Sequence, residues 1–387
     1  MSENRKVDLG LFCATMLLLV VGIFMVYDAS YAVAGQMNKN PAFFRNRQAI
    51  SAFIGLAMMF SAMKFPYWRL KKYSTILLVI SIVGLLLVFA PHIGKAANGK
   101  TRWIAFGPVQ IQPSEFAKLC LVTYIAAFFS ARNINIRDWK TGLMPLALPI
   151  GVVGILIVKE DMGTAIVLMV TALGMVYAAG ARTSHVLSII SGAAVVGVGF
   201  VLAESYRCHR IMAFLDPFKD YHGIGYQICQ SLIALGSGGV FGMGICEGRQ
   251  KLFYLPAGHT DFIYAVFGQE TGLIGSSLLA LAFLFFAYRG FVIARKTRDP
   301  FGRFLAVGLS TLIGAQAVLH MLVDTAFVPA TGVPLPFISY GGSSLALNLL
   351  SVGVLLSISK YPKSSETYEH ESSGNRRRYR RTRVSRA

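Results

Sequence analysis

The chain has 387 residues, 55% of them hydrophobic and only 14% charged, with a formal net charge of +19. A soluble globular domain carries about 25% charged residues, so this composition excludes an ordinary water-soluble enzyme. The basic excess could suit nucleic acid, but arginines set beside anionic lipid account for it better.

Apolar windows near the roughly 20 residues needed to cross a bilayer recur at 9–31, 48–63, 73–90, 115–130, 141–158, 163–180, 184–203, 262–288, 302–325 and 342–359. They predict an all-α, polytopic integral membrane protein of about ten transmembrane helices. The second, fourth and fifth are short enough that one of them could be re-entrant. Residues 1–361 read as a single transmembrane domain, with 204–260 as one long extracytoplasmic loop. Residues 362–387, rich in Ser, Glu and Arg and lacking large aliphatics, read as a disordered basic cytoplasmic tail. Arg5 and Lys6 precede a first apolar run of about 18 residues, longer than a signal-peptide core, so it is read as a retained helix. With ten spans and the N-terminus inside, 24 of the 37 Lys and Arg fall on the cytoplasmic side. This asymmetry places both termini in the cytoplasm.

Along the chain, ionisable residues inside the spans carry the next layer of information, because each is costly in lipid. Glu115 and Lys118, three apart, share a helical face and can neutralise one another. Lys159, Glu160 and Asp161 cluster where the fifth span ends. In the long loop, Ile224, Ile228, Leu232 and Leu235 repeat at helical spacing and predict a helix lying in the membrane interface. The glycine-rich run Gly236–Gly244 is interrupted by Phe241 as a phosphate loop and reads as close backbone packing. Cys208, Cys229 and Cys246 show no metal-ligand spacing and read as free thiols. Asp261 stands immediately before an apolar helix, where a carboxylate can serve as an N-cap or as a base beside a lipid-borne substrate. His259 and Asp261 alone make a weak metal pair. Finally, Gln316, His320 and Asp324 recur every four residues and form a polar stripe that must face protein or a hydrated cavity.

Several motifs, in this order, match a known family. They are Arg102-Trp103, Gln112 to Lys118, Asp161 to Ala165, Tyr226-Gln227 with Gln230-Ser231, Gly236 to Gly239, Gln250 to Ala265, and Pro334 to Ser344. From Tyr27 to Tyr361 the chain resembles the SEDS family of peptidoglycan glycan polymerases. The stretch Lys251 to Pro256 is most similar to the FtsW-type division branch, with RodA-type and sporulation-type relatives close by. The resemblance implies an inverting glycosyltransferase that polymerises lipid II at the bacterial cytoplasmic (inner) membrane, at the division septum. In it Asp261 is the general base for the acceptor 4-hydroxyl, and Glu115 and Lys118 are a functional membrane pair. Arg102, Arg207, Arg210 and Lys251 are candidate pyrophosphate partners, and Asp161, His259, Ser339 and Ser343 are further candidate substrate-binding residues. A divalent cation (Mg or Mn) could share that task, although no cofactor is required by the motifs. The implied partners are lipid II, a class B penicillin-binding transpeptidase, other division proteins and membrane lipids, with no nucleic acid. Asp28, Ala257, His320 and Asp324 depart from the family's usual residues. The rival readings are a lipid II flippase and a non-catalytic division scaffold.

Overall fold

The computed structural model describes residues 7–361 apart from 91–93, 98, 99, 107, 108, 132–134, 204, 220, 222 and 224. The predicted tail at 362–387 lies outside the described residues.

Every predicted span coincides with a helix. In chain order these are α1 (Leu9–Gln36), α2 (Phe43–Lys64), α3 (Trp68–Val88), α4 (Pro113–Phe129), α5 (Met144–Glu160), α6 (Met162–Ala178) and α7 (Thr183–Leu202). The loop region adds α8 (Ser205–Leu215) and α9 (Tyr226–Gly238), and α10 (Ile263–Lys296), α11 (Pro300–Asp324) and α12 (Gly342–Lys360) complete the bundle. Among the described residues, seven helical stretches are long and apolar enough to cross a membrane: α1, α3, α5 with its preceding turn at 139–143, α7, α10, α11 and α12. The other three predicted spans fall short for separate reasons. α4 and α6 have 17 residues each, about 26 Å of helix at ~1.5 Å per residue. α2 is long enough but carries Arg45, Arg47 and Lys64 at its ends.

The interior is built around α11 and α12, whose apolar side chains are largely buried. At the opposite extreme, no residue of α7 is buried. Small residues let the core helices approach closely: a side chain at Gly353 would run into the Met59 backbone of α2, and one at Gly22 into Phe337 and Ile338.

Three features depart from the sequence reading. First, the all-α bundle, as expected from the sequence, carries one small sheet in addition. Strands β1 (Gly94–Ala97), β2 (Lys100–Phe106) and β3 (Val109–Ile111) form an antiparallel sheet in the order β1-β2-β3 between α3 and α4. Their short, weakly alternating pattern gives no strand signal.

Second, the predicted loop helix, α9, packs one face on protein. Ile228, Cys229, Ser231 and Ala234 are buried, and the helix packs on α10. Of the predicted repeat, Ile228 is buried and Leu232 and Leu235 are partly buried, while Ile224 lies outside the described residues. In the same region α8 and its following turn expose Met212, Leu215 and Phe218.

Third, the helix predicted over 262–288 is two segments joined at Gly272, which adopts φ 67° and ψ −167°. The left-handed backbone is open to glycine at little steric cost. The glycine-rich run packs into the break: Leu273 N–H donates to Gly239 O (2.9 Å) and Ile274 N–H to Val240 O (3.2 Å). In return Met243 N–H reaches Gln269 O (3.0 Å) and Gly244 N–H reaches Glu270 O (3.1 Å). Backbone groups released by the kink are thus satisfied by the loop. The reading of this run as close backbone packing matches what the structure shows.

Candidate active site

The loop from Gly244 to Phe262 carries Asp261, and buried side chains of α10 hold its first half. Glu270 accepts the N–H groups of Cys246 (3.1 Å) and Gly248 (3.3 Å), and Gln269 accepts that of Gln250 (3.1 Å). Lys251 then turns inward. Its ammonium contacts Asp28 of α1 at 2.6 Å and Glu270 at 2.5 Å, and all three side chains are 1% exposed. This position corrects the expectation for Lys251: its ammonium is saturated by two carboxylates and removed from solvent, so it ties the loop to α1 and α10. It also gives Asp28 a purpose that its departure from the family pattern left open.

The second half of the loop docks on the segment 331–341. Ser339 Oγ donates to Thr260 O (2.6 Å) and accepts Leu335 N–H (2.8 Å), while Tyr340 N–H donates to His259 O (3.0 Å). Gln48 of α2 completes this joint, donating to Ser339 O (3.1 Å) and accepting Gly341 N–H (3.3 Å). Ser339 therefore braces the loop from a buried position. The His259 ring lies 4.9 Å from Phe44 and 5.9 Å from Tyr340, centroid to centroid. Burial pulls its pKa down to about 4, so the imidazole is neutral at physiological pH and supplies no positive charge to an anion. Ser343 donates to Gln110 O (2.9 Å) and links the start of α12 to β3.

Asp261 itself is half-buried. It does not cap α10. The N-cap is Phe262, whose side chain makes no capping bond. The capping acceptor comes from across the bundle, where Asp324 Oδ2 at the end of α11 accepts Ala265 N–H at 3.0 Å. Asp261 is left with its carboxylate free of the helix end. Burial pushes its pKa up to about 6, and Asp161 adds to the rise, while Arg102, Arg210 and a hydrogen bond from Thr260 oppose it.

Each of those neighbours is held by a different element. Asp161 is the N-cap of α6, accepting Gly163 N–H (3.0 Å) and Thr164 N–H (3.4 Å). Arg102 on β2 lies 3.8 Å from Asp161. Arg210 on α8 donates to Ala330 O at 3.0 Å and lines a cavity of about 320 Å³ with Tyr226, Gln227 and Pro256. Gly332 faces the carboxylate closely enough that a Cβ there would stand 3.4 Å from Asp261 Oδ2.

Asp261, Asp161, Arg102 and Arg210 thus form one cluster of two carboxylates and two guanidiniums. Arg207 also lies on α8, but its side chain is outside the described residues. Among the described residues no three His, Cys, Asp or Glu side chains come together as metal ligands. All five cysteines are free thiols.

Glu115 and Lys118 lie elsewhere, inside the bundle, 2.8 Å apart and at most 3% exposed. Lys118 also donates to Gln316 Oε1 (2.9 Å), and Gln316 Nε2 donates to Pro334 O (2.8 Å). His320 Nδ1 donates to Val333 O (2.7 Å). The polar stripe of α11 therefore faces protein, and it grips the segment that walls the Asp261 cluster. Sequence reasoning found the stripe by its four-residue spacing but not its targets, which lie on a distant loop. Gln48 carried no signal at all.

A family model described as a cell cycle protein and covering FtsW, RodA and SpoVE matches residues 9–364. The chain belongs to the SEDS family. It is 42% identical to stage V sporulation protein E of Bacillus subtilis, over 94% of this chain and 99% of that one. It is 40% identical to a probable peptidoglycan glycosyltransferase FtsW of Geobacter metallireducens, over 94% and 98%. Among solved structures it is similar to a chain of a peptidoglycan synthase complex, at TM-score 0.75 and 26% identity, covering 92% of this chain and 99% of that one. It is also similar to the rod-shape-determining protein RodA of Thermus thermophilus, at TM-score 0.67 and 26% identity, covering 92% and 98%. The SEDS chain described here is thus comparably close to sporulation-type and division-type relatives.

Proposed function

We propose that this protein is a peptidoglycan glycosyltransferase that polymerises lipid II, with Asp261 as its general base. The observation that carries the reading is a carboxylate whose pKa is raised to about 6, beside two arginines. A base titrating near the working pH is best matched to proton transfer, and fixed guanidiniums suit charge that develops on a departing pyrophosphate. In this reading Asp261 takes the proton of the acceptor 4-hydroxyl as that oxygen bonds to the anomeric carbon of the donor. The bond from that carbon to the pyrophosphate breaks on the opposite face, with inversion. Arg102 and Arg210 stabilise the leaving group, and Asp161 orients Arg102. Lys118 and Glu115 act from the membrane interior through Gln316. The names of the relatives and the synthase complex among the structural neighbours support this chemistry, and they support a class B penicillin-binding transpeptidase as partner. We place the protein in the cytoplasmic membrane with both termini inside and the Asp261 cluster outside, acting at the septum.

The test is purified protein with lipid II. Wild type should yield glycan strands, and Asp261→Asn should lose 10²- to 10⁴-fold in rate, the range for removal of a general base, while still binding lipid II. Normal polymerisation by that variant would refute the assignment. A wild type that carries lipid II across vesicles without linking it would make the protein a flippase.

A further inference from the structure

The last turn of α11 touches both backbones that enclose Asp261. Asp324 Oδ2 accepts the N–H of Ala265, four residues beyond Asp261 (3.0 Å). One turn earlier, His320 holds Val333 O (2.7 Å), next to the Gly332 that faces the Asp261 carboxylate. Asp324 is in turn fixed from a third element, since Ser231 Oγ of α9 donates to its carbonyl at 2.7 Å. Asp324 and His320 are at most 1% exposed, so neither reaches a substrate directly. Because Phe262 provides no side-chain cap, Asp324 fills that role at the helix that immediately follows Asp261.

We propose that Asp324, with His320 beside it, is a positioning residue that sets the place of Asp261 relative to the 331–335 wall. This inference rests on Asp261 being the base. A carboxylate oxygen is required only as an acceptor for Ala265 N–H, and an amide oxygen of the same shape can replace it. An acceptor that is lost lets the start of α10 shift, and a displacement near 1 Å can cost on the order of 100-fold in rate.

The experiment measures kcat and KM for lipid II with the purified full-length chain. Asp324→Ala should fold and lose 10- to 100-fold in kcat with KM within threefold, and Asp324→Asn should recover kcat to within about threefold of wild type. If Asp324→Ala does not accumulate, Ser231→Ala provides the second variant, with a several-fold fall in kcat at unchanged KM. Wild-type kcat in Asp324→Ala, or in Ser231→Ala where that variant stands in, a loss confined to KM, or no recovery in Asp324→Asn would each overturn the proposal. Asp261→Asn is run in parallel. If it is inactive while Asp324→Ala is normal, positioning fails and the base assignment stands. If it is active, the base assignment itself fails.

Discussion

Among the described residues two lysines are buried, and their surroundings differ by one negative charge. Lys118 meets one carboxylate, Glu115, and the neutral amide of Gln316. Lys251 meets two carboxylates, Asp28 and Glu270, and Asp28 Oδ2 has no hydrogen-bond partner. The first cluster is balanced and lies within the helices; the second is over-supplied with anions and ties a loop to two helices. Burying an ion is tolerable when it is paired. Each site therefore tolerates the loss of a different partner. At Lys118 the two ions depend on each other equally, whereas at Lys251 the cation is indispensable and one anion is in excess.

The largest effect should come from Lys251→Met, which leaves two carboxylates facing each other without a cation. Breaking a buried pair costs about 3–5 kcal/mol, so the variant should accumulate poorly, read as detergent-extracted protein on size exclusion. Wild-type accumulation would mean the cluster is not an electrostatic anchor. Burial lowers the Lys251 pKa, but the two carboxylates outweigh it and hold it above the ordinary lysine range. With a raised pKa the anchor is fully present below the unfolded pKa and is lost only as pH rises through the folded value. A melting temperature that is flat from pH 6 to 9 and falls in stronger alkali is the expected signature.

Next in size is the balanced pair. Glu115→Gln and Lys118→Met should each cost about 3 kcal/mol, the lower end of the range for a broken buried pair, and the double variant should recover part of that loss because no uncompensated charge remains. Strictly additive losses would show that the two groups do not interact.

Asp261 offers a third case, a carboxylate flanked by arginines but still destabilised by burial and by Asp161. Its pKa of about 6 lies above the unfolded value near 3.9, so its ionised form opposes folding at neutral pH. Asp261→Asn should raise the melting temperature at pH 7.5, by on the order of 1–3 kcal/mol of stability, with the difference vanishing below pH 4. Polymerisation by wild type should halve near pH 6 and plateau above it. A variant less stable than wild type at pH 7.5 would contradict this account.

The smallest effect belongs to Asp28→Asn. It removes the excess charge while keeping an acceptor for Lys251, and should move the melting temperature by no more than about 4 °C. A collapse as severe as that of Lys251→Met would erase the contrast between the two clusters.

Most of the fold was legible because lipid demands long apolar runs, and ten such runs became ten helices. Gly272 was not, since one glycine in an apolar run does not reveal a left-handed backbone. The partners of Lys251 were equally hidden: Asp28 lies 223 residues away, and only packing brings them together. Asp261 was singled out from its place before an apolar helix, yet local spacing also suggested that it capped that helix. The acceptor used there is Asp324, 59 residues beyond the Ala265 N–H that it accepts. Arg102 and Asp161 were visible as motif residues, but their meeting depends on a small sheet that left no pattern to read.

The helix α7, which buries none of its residues, answers to a different constraint from the rest. Lipid tails are as apolar as its own side chains, so no hydrophobic force presses it onto the bundle. What keeps it near is largely covalent, the turn at 179–182 before it and the two residues leading into α8 after it; its packing is limited to His185 against the Trp139 ring (5.3 Å between centroids) and Val186 and Ile189 against the core. Its neighbours experience it at a local concentration set by those two tethers. Exchange of one aliphatic for another along α7 beyond Ile189 should therefore be judged by membrane insertion alone, and the bundle would not register the change.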